Sequence, residues 1–280
     1  MTTAAQEAFL RDFHSEYPAA TVGAMGRGRT PDGRSSYELL RDHVEGRPRV
    51  LDLGCGDGFL LHLLAEAGHE VTGVDLSNAD LALARQRPSL AEARLVEGRA
   101  QELPFSGNDF DACVSHMAFM LMPEIDQVAA ELARVLAPGG RLALVLGSGS
   151  AGGTGGNDLF RRLLRPVLAD APAEQRMPRL GDPRTQDREG VDDILTSAGF
   201  APVEWTTEPL DLGGSAEQVW GSVSAIYNFF PLDLAVVKSL EKEFLAQAAG
   251  LADADGRIPS TQNIHIATTT LTDQGAYPAK

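Results

Sequence analysis

Between residues 49 and 147 the chain alternates two hydrophobic rhythms. Short, β-branched or apolar runs read RVLDLG, EVTGVD, ARLVEG, FDACVSH and RLALVLG. Each has the length and composition of a strand buried in a sheet. Between them lie segments whose apolar residues recur every three or four positions: GFLLHLLAEAG, LSNADLALARQR and PEIDQVAAELARVLAPGG. These predict helices. The first closes on Gly68, the second is capped by Ser77 or Asn78, and the third opens on a proline and ends in a glycine turn. Strands alternating with helices predict parallel β-α-β units, an α/β fold with helices on both faces of the sheet.

After Gly147 the rhythm changes. GSGSAGGTGGND reads as a loop leaving the sheet. LFRRLLRPVLADA and REGVDDILTSAGF read as helices, and PVEWTTEPLDL and NIHIATTTL as strands. Between those strands, residues 215–250 predict two helices joined near Pro231. The pattern predicts one domain over 35–280, an N-terminal flap over 1–34, and insertions at about 147–187 and 213–260.

Glycine weakens a strand end, so Gly54, Gly56 and Gly58 directly after the first strand need a local reason. A tight strand-to-helix turn that brings bare backbone against a ligand supplies one. Asp75 ends the second strand about twenty residues on, the separation that lets a carboxylate take ribose hydroxyls. Phe59 stands where a dinucleotide fingerprint has its third glycine, and no phosphate-loop Lys-Ser/Thr follows. A pyrophosphate ligand is disfavoured.

VLDLGCGDG, then VTGVDLS, then GRAQELPFSGNDFDACVSH and LARVLAPGGRLALV, together resemble the class I S-adenosylmethionine-dependent methyltransferases, over about residues 48–147. The resemblance implies a Rossmann-like, doubly wound sheet of seven strands, mostly parallel with the last antiparallel, carrying helical substrate-covering insertions. It implies S-adenosylmethionine as cofactor. Asp52, Gly54, Cys55 and Gly56 would hold its amino acid end, Asp75 the ribose and Leu76 the adenine face. Ala100 and Gln101 would border the adenine edge, with Arg99 where relatives often carry an acid. His116 and Met117 would sit beside the methyl-bearing sulfur. Without the resemblance, Asp52 reads as a strand-end acid and Asp75 as a helix cap. Cys55 reads as a small packing residue.

For catalysis the candidates are His116, as a base titrating near neutrality or as a wall of the cofactor site, and Tyr227, whose hydroxyl could orient an acceptor. Tyr227 belongs to AEQVWGSVSAIYNFFP, where Trp220, Tyr227, Phe229 and Phe230 concentrate in a chain with 6% aromatics. Such a stripe fills a core more often than it lines a pocket. His14 lies in the N-terminal extension with Tyr17 nearby.

The net charge of −15 repels phosphate backbones and anionic membranes, so neither nucleic acid nor a membrane is an expected partner. No histidine joins acids at metal-binding spacing, so no metal is expected. Cys55 and Cys113 form no paired motif, and the N-terminus lacks a secretory apolar centre, which points to the cytoplasm. The resulting expectation is methyl transfer to a small, partly apolar or aromatic acceptor in secondary metabolism. Two alternatives keep the fold: non-methylating chemistry with the same cofactor, and a non-catalytic cofactor-binding subunit. Oligomeric state is left open.

Overall fold

The computed structural model describes residues 2–147, 154–225 and 227–273. The strands are β1 (Arg49–Leu53), β2 (Glu70–Asp75), β3 (Arg94–Glu97), β4 (Phe110–His116), β5 (Leu136–Gly147), the two-residue β6 (Thr154–Gly155), β7 (Glu204–Asp211) and β8 (Ser260–Thr270). The helices are α1 (Thr3–Glu16), α2 (Ala20–Met25), α3 (Ser36–Asp42), α4 (Phe59–Glu66), α5 (Asn78–Ala84), α6 (Ile125–Val135), α7 (Gly156–Asp170), α8 (Arg188–Ser197), α9 (Ala216–Ser224) and α10 (Leu234–Ala248). The expected strands and helices all form. Residues 148–153 of the expected glycine loop lie outside the described residues; of the rest, Gly147 ends β5 and 154–158 are β6 and the start of α7.

β3, β2, β1, β4 and β5 lie side by side in that order and run parallel. β8 lies antiparallel between β5 and β7, and β6 adds a short pairing at its start. This is the expected doubly wound sheet of seven principal strands with an antiparallel last strand. The connection from β1 leads to β2 on one side, whereas β4 lies on the other. The strand order reverses there, and ligand clefts open at that point beyond the carboxyl ends of the strands.

One apolar cluster packs α6 and α8 on one face of the sheet. A second packs α3, α4 and α5 on the other, and includes Ala24 and Met25 of α2. Gly26 onward is also tied down, since Arg29 bridges to Asp211. Only α1 of the N-terminal flap therefore stands apart from the sheet's two cores. A third cluster joins α7, α9 and α10 around Phe160, Trp220 and Phe244. The two insertions thus build a small helical core together.

Candidate functional site

The glycine turn puts backbone at the cleft for a stereochemical reason. Gly54, Gly56 and Gly58 have φ of 75°, 51° and 76°, values that L side chains rarely adopt. Gly54 and Cys55 donate their N–H groups to the Val74 carbonyl at 2.8 and 3.1 Å, which fastens the turn to β2. A side chain at Gly58 would collide with Leu90 and Ala84, so that glycine serves packing. A side chain at Gly56 would meet nothing within 4 Å. Gly56 faces the open cleft.

Two carboxylates flank this turn in different states. Asp75 accepts the Gly56 N–H on Oδ2 and the Ser77 N–H on Oδ1, each at 2.8 Å. Burial pushes its carboxyl upward, and the two backbone donors oppose that shift. Asp52 is 1% exposed, and neither of its oxygens has a partner among the described residues. Burial, then the neighbouring Asp75 and Asp57, push its carboxyl well above the usual range. Asp57 is itself paired with Arg87. The cleft is also lined by Asp80 and Glu7, and no Lys or Arg is among its described lining residues. An unpartnered buried carboxylate beside bare backbone suits a ligand that carries a cation.

The other expected residues converge on the same cleft. Cys55, Leu76, Ala100, Gln101, His116 and Met117 all line it. Cys55 lies close to Gly73, where any side chain would strike its sulfur, and burial pushes its thiol upward. Gln101 donates its side-chain amide to the Pro123 carbonyl at 2.7 Å.

His116 sits differently from a titrating base. Its Nε2 lies 2.8 Å from Ser36 Oγ, and its ring stacks on Tyr37 with centroids 3.8 Å apart. Burial lowers its pKa to about 3, so the ring is neutral at physiological pH. The expectation of a titration near neutrality at His116 is corrected by this packing.

α1 covers the cleft through polar contacts. Glu7, buried, accepts from Arg99 Nε at 2.7 Å, so the arginine that replaces the expected acid anchors the covering helix. His14 Nε2 lies 3.0 Å from the Tyr227 hydroxyl, and His14 Nδ1 lies 2.9 Å from Asp80 Oδ2. The Tyr227 ring packs on Phe13, with centroids 4.4 Å apart. The aromatic stretch divides in two: Trp220 and Phe229 join the helical core, whereas Tyr227 and Phe230 turn to α1.

Asp80 and the Ser36–Tyr37 pair carry no local sequence signal for a site. Asp80 reads as a residue in the first turn of a helix, and Ser36 and Tyr37 lie far in sequence from the β4 end that they meet. Among the described residues no group of three His, Cys, Asp or Glu could hold a metal ion, and no helix is long and apolar enough to cross a membrane.

Residues 51–144 match a family described as a methyltransferase domain. Over 99 residues the chain is 40% identical to a fatty-acid O-methyltransferase of Mycolicibacterium smegmatis, a stretch covering 35% of this chain and 36% of that protein. The matched stretch spans less than half the length of the curated relatives. Among solved structures, the [4+2]-cyclase SpnF superposes with a TM-score of 0.59 at 19% identity, covering 94% of this chain and 96% of that one. A Haemonchus contortus phosphoethanolamine N-methyltransferase in complex with S-adenosyl-L-methionine gives 0.57 at 17% identity, over 94% of this chain and 60% of that one. At these identities the likeness is one of fold.

Proposed function

Because the chain belongs to the class I S-adenosylmethionine-dependent methyltransferases, we propose that it methylates a small, neutral, partly apolar or aromatic organic acceptor. The observation that carries this reading is Asp52: a buried carboxylate without a partner, beside an open glycine turn, in a cleft lined by no Lys or Arg among the described residues. The relatives named as methyltransferases support the reaction, and the motif order along 51–144 supports the cofactor. When bound, that cofactor supplies a methyl group made electrophilic by a sulfonium sulfur.

In this reading Asp52 faces the cofactor's ammonium, and the backbone of Gly54–Gly56 meets its carboxylate. Asp75 has lone pairs left after accepting Gly56 and Ser77, and these take the ribose hydroxyls. Leu76, Ala100 and Gln101 border the adenine. His116, neutral and clamped by Ser36 and Tyr37, shapes the wall near the sulfur together with Met117. Tyr227 orients the acceptor, and α1 keeps water out. Transfer of this kind rests chiefly on holding the acceptor in line with the methyl group.

A carboxylate acceptor, such as the named fatty-acid relative implies for itself, would meet Asp52, Asp75 and Asp80 with no Lys or Arg among the described lining residues, Asp57 and Glu7 being already paired with Arg87 and Arg99. A neutral acceptor of natural-product type is the better fit. A cytoplasmic setting belongs to the same proposal and is supported by two free, buried cysteines. The fold likeness to a cyclase gives the second reading, in which the cofactor is bound but its methyl group stays in place.

Calorimetry and a labelled-methyl assay separate these readings. The cofactor and its demethylated product should bind, and nicotinamide dinucleotides should not. Asp75→Ala should weaken binding by about 1.5–3 kcal/mol through lost charge-assisted contacts. Label should pass to at least one member of a panel of phenols, amines and indoles. Binding with no label transferred would favour the second reading, and unchanged affinity in Asp75→Ala would remove that residue from the site.

A further inference from the structure

Three side chains from three separate elements lie in one polar line at the cleft. The Tyr227 hydroxyl lies 3.0 Å from His14 Nε2, and His14 Nδ1 lies 2.9 Å from Asp80 Oδ2. Asp80 is 1% exposed, and its other oxygen accepts the Ala19 N–H at 2.6 Å. The Nδ1–Oδ2 contact is a close approach in which neither atom yet has a hydrogen-bond partner among the described residues; a carboxylate oxygen accepts, so a small turn of the ring with the hydrogen on Nδ1 completes it. His14 Nε2 then presents a lone pair, and the Tyr227 hydroxyl donates to it. The phenol oxygen keeps its own lone pairs for a further donor. All three residues line the cleft.

We propose that Asp80, His14 and Tyr227 are the proton-accepting device of this site, and that the group they serve is a neutral hydroxyl on the acceptor. The proposal rests on the methyl-transfer reading above. As the acceptor oxygen takes up the methyl group, its O–H bond breaks and the proton passes to the Tyr227 oxygen. The proton already on Tyr227 passes to His14 Nε2, so one N–H bond forms and the phenol ends as it began. The positive charge leaving the methyl donor reappears on the imidazolium, held beside Asp80.

The surrounding charges select the hydroxyl. An amine entering as ammonium beside Asp75 and Asp80 would be held protonated, with no lone pair for the methyl group. A carboxylate has no proton to give and is repelled by Asp75 and Asp80, with no Lys or Arg among the described lining residues. A phenol or alcohol brings both the proton and the lone pair. Besides Asp80 on α5, the titratable groups facing His14 are Asp75 at the end of β2 and Tyr227.

The first test needs no acceptor. Nitrogen-15 spectra of the histidines in the full chain should show the His14 hydrogen on Nδ1, and Asp80→Asn should redistribute it between the two ring nitrogens. The second test uses turnover. His14→Gln, checked for an unchanged unfolding midpoint, should lower kcat by roughly 10²–10⁴-fold on a phenol of ordinary acidity with little change in KM. The loss should shrink at least tenfold on a nitrophenol that is already ionised at the assay pH. Equal losses on both phenols, or a hydrogen position on His14 indifferent to Asp80→Asn, would overturn the device. No label transfer to any hydroxylated acceptor, with the spectra as expected, would instead sink the methyl-transfer reading and the hydroxyl assignment with it.

Discussion

Asp52 and His116 are both buried ionisable groups at the cleft, and burial moves them in opposite senses. The Asp52 carboxyl is raised, so the folded chain loses stability as pH climbs from the ordinary 3.8 through its shifted value. Asp52→Asn removes that cost. The variant should be more stable than the parent without ligand at pH 8, by on the order of 1 kcal/mol, and the gain should vanish below pH 3.8. It should also bind the cofactor more weakly. Urea unfolding at both pH values measures the first effect, and a variant no more stable at pH 8 would mean that Asp52 finds a partner in solution. His116 is lowered from 6.5 to about 3, so the unfolded chain binds the proton first as pH falls. Stability is intact above 6.5 and is lost below it, by about 1.4 kcal/mol per pH unit, down to about 3. His116→Asn should flatten that slope relative to the parent and keep kcat within about tenfold, since an amide can replace the bond to Ser36. A large loss of kcat with an unchanged acid slope would return His116 to the chemistry.

Helices α1 and α9 were both expected to cover a pocket, and their packing separates them. Val219, Trp220 and Val223 of α9 are buried in the cluster with α7 and α10. α1 is held by the Glu7–Arg99 pair, the His14–Asp80 pair and the Phe13–Tyr227 contact. Beyond Leu10 and the Phe9 and Phe13 rings, α1 has no apolar face among the described residues of the clusters that pack the sheet, and such an attachment opens at lower free energy than a helix packed into one. Arg99→Ala should speed amide exchange across residues 3–16 by about tenfold or more, because it removes the one hydrogen-bonded partner that ties the buried Glu7 to the sheet side and leaves only Arg11 of the same helix, 3.8 Å away. Exchange in 216–224 should not change. Binding of the demethylated cofactor should slow exchange in α1. Equal protection of the two helices, unaffected by the variant, would show α1 to be as fixed as α9.

At the scale of the whole molecule, the net charge of −15 and the acid-lined cleft act in the same direction on an approaching ligand. A field of that sign slows the arrival of anions and favours neutral or cationic ones. For two acceptors of similar shape, one neutral and one carrying a carboxylate remote from the reacting oxygen, kcat/KM should favour the neutral one by about tenfold or more at low salt. The preference should narrow as ionic strength rises, because the outer charges are screened. A preference for the anionic acceptor would require a cation at the cleft that the described lining residues lack.

What the sequence determined by itself was whatever depends on neighbours along the chain. The alternation of periods from 49 to 147 specifies the order of strands and helices, because each element buries a face that its own spacing defines. The turn at Gly54–Gly58 and the acid at Asp75 were legible for the same reason: positive φ and a strand end are local properties. Tertiary structure alone decided the rest. Asp80 lies 61 residues from the Ala19 N–H it accepts, and Tyr227 lies 213 residues from His14. No periodicity links those positions, and only the closure of α1 over the cleft joins them. His116 was legible as a residue at the end of a strand, but its neutrality was not. That follows from burial, to which Ser36, 80 residues away, and the stacked Tyr37 ring contribute by packing against it. A side chain's acidity is set by what surrounds it in space, and the chain acquires those surroundings only when it folds.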